Sequence, residues 1–425
     1  MDQPYVPLSV ETLPARLAGV PQVRDRLGSP EHWRVREVGD GNLNLVFVVE
    51  GPLGEGPLGG VVVKQALPYV RLVGESWPLP LRRSYFEFHA LTRQQQRDPG
   101  AVPALYHFDE GQALIVMEYL REHVILRQGL IAGQQYAGLG RRLGQFCART
   151  LFKGSDLSMP AAARKADLAL FAGNVALSDI TESLVFTDPY WDAPLNRHTA
   201  GLEAAAARLR ADQPLKIAAQ HLKLAFASRA ETLLHGDLHT GSVMVSATDI
   251  RVIDPEFATY GPMGFDVGML IANFLMAFLS QPGHADAPGA RDQHGTWILA
   301  EAAAIWAGFV QDFTSLWRGA RTGMLYPAHL HEAQGQGDAA ELARLDWLAQ
   351  VWRDSLGFCG VEIHRRILGL AHNADFERIA DAALRARLEA QALGLGRVLV
   401  LGRLAIADMA AVCDLTRRAA QEEAL

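Results

Sequence analysis

The chain has 425 residues, 49% of them apolar, and a formal charge of −7 from 47 acidic and 40 basic side chains. That apolar content can build the cores of two or three ordinary domains, and the negative balance argues against a broad nucleic-acid surface. Three cysteines, Cys147, Cys359 and Cys413, distant and odd in number, point to a reduced, cytoplasmic protein without a disulfide framework. The start of the chain has no basic segment followed by an apolar one, so no signal peptide is expected.

Residues up to about 27, with prolines at 4, 7, 14 and 21, read as a lead-in to the first domain. Trp33–Val38 alternates as a strand and Leu45–Val49 as a second, with Gly39-Asp-Gly41-Asn42-Leu-Asn44 turning between them. A strand, a glycine turn and a strand can cover phosphates, although an ordinary hairpin uses the same residues. Asn44 stands where a third glycine would complete the motif, and Asn42 and Asn44 offer amides to phosphate oxygens. After a Gly/Pro-rich turn, Val61-Val-Val-Lys64 ends a β-branched run, the position from which a lysine holds α- and β-phosphates. Glu87 lies 23 residues later on an expected helix over 82–96, either paired with Lys64 or exposed. Ala113–Leu120 reads as a buried strand running into a polar step, a hinge whose Glu118 and Tyr119 backbone groups would read adenine.

Beyond about residue 121 the pattern turns helical, over 134–151, 201–229, 269–279, 297–316, 339–353 and 382–420. The apolar run Val267–Leu279 is too short to span a bilayer and contains Asn273. Val185–Arg197 is a polar aromatic loop, fit either to cap an acceptor pocket or to pack locally.

The segment from His235 to Glu256 carries the densest chemistry. Val243–Val245 and Ile250–Ile253 read as a hairpin, with Asp237 before it and Asp254 and Glu256 just after. Residues i and i+2 of an extended segment point the same way, so Asp254 and Glu256 can share one cation, and Mg²⁺ favours that donor set. Asp237 is left to receive the proton of an attacking hydroxyl. His235 and His239 have the i, i+4 spacing of helical zinc ligands, but Gly236 and Gly241 make a helix there improbable. Asp266 is placed to N-cap the next helix, which would brace the Asp237 turn. Arg365 and Arg366 diverge by about 100° on a helix, so both cannot face water if that helix is buried. They form either a surface basic step or, the favoured reading, a pocket for hydroxyls and phosphate.

The strings Gly39–Asn44, Val63–Arg71, Gly74–Pro78, His235–Ser242, Asp254–Phe257 and Arg365–His372 together resemble the 5-methylthioribose kinase family. That family lies in the protein-kinase-like superfamily, with aminoglycoside and choline kinases. The resemblance implies an α+β, two-lobed fold: an N-terminal antiparallel-sheet lobe over 1–120 and a larger, mainly helical C-terminal lobe over 121–425. It implies ATP and Mg²⁺, with the γ-phosphate moving to the 1-hydroxyl of S-methyl-5-thioribose in methionine salvage. Asp237 would be the catalytic base, Asp254 and Glu256 the metal ligands, and Lys64 a phosphate holder. Gly39, Gly41, Asn42 and Asn44 would form the nucleotide loop, and Arg365 and Arg366 would engage the sugar or its developing phosphate. Pro68–Pro78, marked by Trp77, resembles the family's tryptophan-bearing loop near the nucleotide. Ser242 replaces the asparagine that binds metal in protein kinases, so metal ligation is not carried to it. Members are commonly homodimers, and neither a nucleic acid nor a membrane is an expected partner. The remaining alternatives are a kinase for choline, homoserine or an aminoglycoside, and a non-catalytic nucleotide-binding relative. Retention of Lys64, Asp237, Asp254 and Glu256 argues against the last.

Overall fold

The computed structural model describes residues 4–39, 43–52, 59–71 and 74–421. The fold is α+β, and the chain divides into two compact units, Met1–His123 with Arg251–Ala258, and Val124–Ile250 with Thr259–Leu425.

The first unit is built on a five-stranded antiparallel sheet in the spatial order Arg34–Glu37, Asn44–Gly51, Gly59–Ala66, Leu114–Glu118, Leu105–Asp109. Its strands are rich in valine, which packs well on a pleated surface. Phe47, Val49, Val61, Val63, Leu114 and Val116 form a core with Leu13, Leu17, Val23 and Leu27. Those leucines and Val23 lie on two short helices, Leu13–Leu17 and Pro21–Leu27, so the proline-punctuated lead-in is part of the packed unit. Lys64 is one position out of phase with Val61 and Val63, and period-two alternation turns it to the opposite face of the sheet. There it meets Glu87 of the helix Arg83–Arg97. The returning segment joins this unit through Val252 N–H, which donates to the Ala101 carbonyl at 2.8 Å. The Arg251 guanidinium adds bonds to the Val102 carbonyl (3.2 Å) and the Glu118 carboxylate (3.3 Å).

In the second unit the helix Gly264–Ser280 is buried almost throughout. Gly264–His284 is long and apolar enough to cross a membrane, more than the 13-residue run suggested, but 94% of its apolar window is buried, as in a core helix. A Cβ on Gly268 would lie 2.4 Å from the Ser355 carbonyl oxygen, so glycine lets this helix cross Gly337–Leu368 at close range. Several helix limits differ from those the sequence suggests. The pattern over 339–353 continues unbroken to Leu368, a 32-residue helix whose last turn carries Arg365 and Arg366. The expected helix 134–151 starts at Leu139, after Gly138 in the left-handed region at φ 68°. The 297–316 pattern is the middle of Asp292–Gly319, and 382–420 divides into Ala382–Gly402 and Met409–Gln421.

Candidate active site residues in the two units

In the first unit the Lys64 ammonium pairs with Glu87 Oε1 at 2.8 Å and with Asp254 Oδ1. Of the two arrangements open to Glu87, the structure has the buried ion pair. Burial works to deprotonate Lys64, but Asp254, Glu87 and Glu256 outweigh it and hold the ammonium charged. Glu87 is itself raised, first by burial and then by Asp254 and Glu256, against the pull of Lys64. Asp254 adopts φ 69°, a left-handed conformation uncommon outside glycine, which re-aims the chain just where its carboxylate meets Lys64.

Glu256 is buried and accepts from Asn44 Nδ2 at 3.0 Å, with Arg83 Nε 3.6 Å away. Burial and Asp254 raise its carboxyl, opposed by Lys64 and Arg83. Arg83, which the sequence reading missed, is 2% exposed. It donates to the carbonyls of Leu67 (2.5 Å), Leu43 (2.8 Å) and Pro80 (3.2 Å) and to Asn44 Oδ1 (3.0 Å). Asn44 therefore differs from expectation: its amide bridges Arg83 and Glu256 instead of being held out for phosphate. Gly39 lies in the turn after the first strand, while Gly41 and Asn42 lie outside the described residues. At the expected hinge, the Glu118 amide donates to the Ala104 carbonyl at 2.8 Å, and the Tyr119 carbonyl accepts from the Arg121 amide at 2.9 Å. Reading of a base there is limited to the groups these bonds leave.

Glu87, Asp254 and Glu256 each offer a carboxylate oxygen, and the three atoms lie within 4.8 Å of one another. Three carboxylates face the cations Lys64 and Arg83, and burial, ahead of the neighbouring acids, raises the Glu87 and Glu256 carboxyls. A hard, oxygen-only donor set of this kind fits Mg²⁺.

In the second unit the His235–Asp237 turn is fixed from beneath. Asp266 Oδ2 accepts from the His235 amide at 2.7 Å and Oδ1 from the Gly236 amide at 3.0 Å. Gly236 has φ 87°, a conformation that glycine supplies without steric cost. Asp266 is thus not the N-cap of its own helix: it lies in the first turn, and its carboxylate is spent on the neighbouring loop. Ser242 Oγ donates to the Asp237 carbonyl at 3.0 Å, a further brace on the same turn.

Asp237 Oδ1 accepts from Arg365 Nη2 at 2.6 Å and from Arg366 Nη2 at 3.1 Å. Its Oδ2 lies 3.3 Å from His239 Nε2. His239 Nδ1 accepts from the Gly241 amide at 2.9 Å, which assigns the imidazole proton to Nε2. Both His239 nitrogens are thereby engaged within the loop, and the zinc-ligand arrangement is not formed. Burial pushes the Asp237 carboxyl up, but His239, Arg365 and Arg366 together hold it well below the usual carboxylate range. His239 is driven down to about 4, chiefly by burial, so it is neutral at pH 7 and acts there as a hydrogen-bond donor. The two guanidiniums then supply the charge that keeps Asp237 ionised.

Arg365 and Arg366 are enclosed, as the pocket reading requires, yet they do not simply line open space. Besides gripping Asp237 they donate through Nε to Glu362, at 2.6 and 2.7 Å. Glu362 is fully buried and also accepts from Asn273 Nδ2 at 3.3 Å. Asn273 Oδ1 accepts in turn from Arg127 Nη2 at 2.7 Å, and Arg127 Nε lies 3.1 Å from Asp375 Oδ2. The sequence reading missed this supporting layer; its one local signal is an acid three and four positions before two arginines in an apolar helix. In the 185–197 loop, Tyr190 is buried and its Oη lies 3.0 Å from Nδ1 of His364, on the helix that carries Arg365 and Arg366.

The model of the Phosphotransferase enzyme family matches residues 34–348. The chain is 42% identical over 404 residues to methylthioribose kinase 1 of Oryza sativa subsp. japonica, across 94% of this chain and 93% of that one. It is 40% identical over 413 residues to the methylthioribose kinase of Escherichia coli O45:K1 (strain S88 / ExPEC), across 96% of each. A solved glucosamine kinase in complex with glucosamine, ADP and inorganic phosphate aligns loosely, with TM-score 0.47 and 14% identity over 92% of this chain and 86% of that one.

Proposed function

We propose, from the premise that this chain belongs to the methylthioribose kinase family, how its two sets of side chains divide the work of one reaction. The chain phosphorylates S-methyl-5-thioribose with ATP, a step of methionine salvage. The acceptor atom in our reading is the 1-hydroxyl.

The first unit takes the nucleotide. Lys64 is a buried, permanently charged donor, and it binds phosphate oxygens when they compete for its ammonium. Asp254 and Glu256 are the residues that would hold Mg²⁺, whose chemistry there is to neutralise phosphate charge and orient the transferring group. Asn44 and Arg83 hold Glu256 in place.

The second unit takes the sugar. Asp237 accepts a hydrogen bond from the attacking hydroxyl and receives its proton late. A carboxylate held so far toward its ionised form is a weak base, and this suits a loose phosphoryl-transfer transition state, which asks more for orientation of the nucleophile than for its early deprotonation. Oδ1 is committed to two guanidiniums, so the hydroxyl is assigned to Oδ2 beside His239. Arg365 and Arg366 supply donors to sugar hydroxyls and to charge growing on the transferred group.

The observation carrying this reading is the placement of Asp237, held by two arginines in a glycine turn that Asp266 clamps. The neutral acceptor is supported by the methylthioribose kinase relatives, since both guanidiniums are already paired with Asp237 and Glu362. ADP formation measured with methylthioribose, choline and kanamycin tests this: turnover is expected with methylthioribose alone, and efficient turnover of either cation would overturn the acceptor assignment. The proposal includes a cytoplasmic setting, in keeping with three buried free cysteines, and a homodimer, for which light scattering should return twice the chain mass.

A further inference from the structure

We propose that Glu362 is a positioning residue of the acceptor site, which aims Arg365 and Arg366 at Asp237 by holding the Nε of both. The inference rests on the reading of Asp237, Arg365 and Arg366 as that site.

Adjacent residues on a helix leave it about 100° apart, so two consecutive arginines converge on one oxygen only if something redirects their side chains. Glu362 lies three and four residues before them, the spacing that puts it on a shared helix face with each. One of its oxygens takes Arg365 Nε at 2.6 Å and the other takes Arg366 Nε at 2.7 Å. A guanidinium is planar, so fixing Nε to one carboxylate sets the direction of the terminal nitrogens. Both Nη2 atoms then reach the same Asp237 Oδ1, at 2.6 and 3.1 Å.

Charge adds to the geometry. Two buried guanidiniums face two carboxylates, Glu362 and Asp237, and only the pair of acids balances them. Burial would raise the Glu362 carboxyl, but Arg365 and Arg366 hold it below its ordinary value. Asn273, itself bonded to Arg127, keeps Glu362 from turning. Without Glu362 the arginines would carry two positive charges against Asp237 alone and would lose the fork that orients them. Glu362 touches no reacting atom in this scheme; it acts through the arginines.

The test compares Glu362→Gln, Glu362→Asp, Arg365→Ala, Asp237→Asn and the double variant Glu362→Gln/Arg365→Ala. For each, kcat, both KM values, ATP affinity by calorimetry and thermal stability are measured. Gln presents an N–H where one arginine needs an acceptor, and Asp keeps the charge but is a methylene short of both Nε atoms. Each should lower kcat about ten- to a hundredfold, the range for losing one charge-assisted hydrogen bond, with ATP affinity unchanged. The double variant should fall short of additivity, because part of what Glu362 does passes through Arg365 and the rest through Arg366. Wild-type kcat in a folded Glu362 variant, or a fully additive double variant, would overturn the inference. So would failure of both Glu362 variants to fold, which would make Glu362 a scaffold residue. If Asp237→Asn and Arg365→Ala also kept full activity, the acceptor-site reading itself would fall, a result distinct from failure at Glu362 alone.

Discussion

The Asp266 clamp gives the sharpest prediction, because its effect is worked out from two bonds. The carboxylate takes the His235 amide at 2.7 Å and the Gly236 amide at 3.0 Å. Asp266→Asn keeps one acceptor oxygen at neutral strength and presents an N–H to the other amide. Charge-assisted bonds contribute ~1.5–3 kcal/mol each, and an unsatisfied buried amide costs ~1–3 kcal/mol. Burial raises the Asp266 carboxyl, which offsets part of what its charge provides, so the low end applies. A loss of ~2 kcal/mol confined to the turn raises its open-to-closed ratio roughly thirtyfold, which is the ceiling on the fall in kcat if the open turn is inactive. The assay is kcat at saturating ATP and methylthioribose, with hydrogen exchange at the His235 and Gly236 amides as the structural readout. Faster exchange at those amides should accompany the lower kcat. Normal turnover with protected amides would refute the view that Asp266 holds the catalytic turn.

Lys64→Ala should weaken ATP use while leaving sugar affinity intact by calorimetry; the reverse would mean that the units' substrates are misassigned. Asp254→Ala and Glu256→Ala should each raise the Mg²⁺ needed for half-maximal activity, and they should also weaken Mn²⁺ binding measured by electron paramagnetic resonance. An unchanged metal dependence would count against direct ligation. Burial pushes the Asp375 carboxyl up to about 6 despite Arg127 beside it. A folded-state value above the unfolded one means that protonation favours folding: the contribution is complete below about pH 4 and lost as pH rises through 6. The unfolding free energy of wild type should therefore gain on that of Asp375→Asn by about 1–3 kcal/mol between pH 7 and 4 in urea titrations. A difference that stays constant with pH would contradict this.

Short motifs were legible because their chemistry is local. Asp237, Asp254 and Glu256 sit beside short strands, where glycines and spacing announce them, and Lys64 follows a run of three valines. Glu87 was legible only as an acid on the next helix, since its approach to Lys64 is tertiary. Arg83, Arg127, Asn273 and Glu362 were missed for the same reason: the role of each depends on what the fold brings beside it. The clue available was energetic, since a charge or amide inside an apolar helix must find a partner. Helix limits failed for a packing reason. Gly357 and Gly360 lower helix propensity, and as glycines they allow close approach by other backbone; the helix runs through both. A Cβ on Gly360 would lie 2.4 Å from the Gly396 carbonyl oxygen, so these glycines serve close helix contact, whose burial outweighs their propensity cost.

The most direct test of the central claim is the identity of the product. Incubation of the chain with ATP, Mg²⁺ and methylthioribose, followed by ³¹P and ¹H NMR, locates the new phosphate ester. The account predicts one phosphomonoester whose phosphorus couples to the anomeric proton of the sugar, formed one for one with ADP. Phosphorus coupled to another ring proton, or ADP formed without any sugar ester, would contradict it.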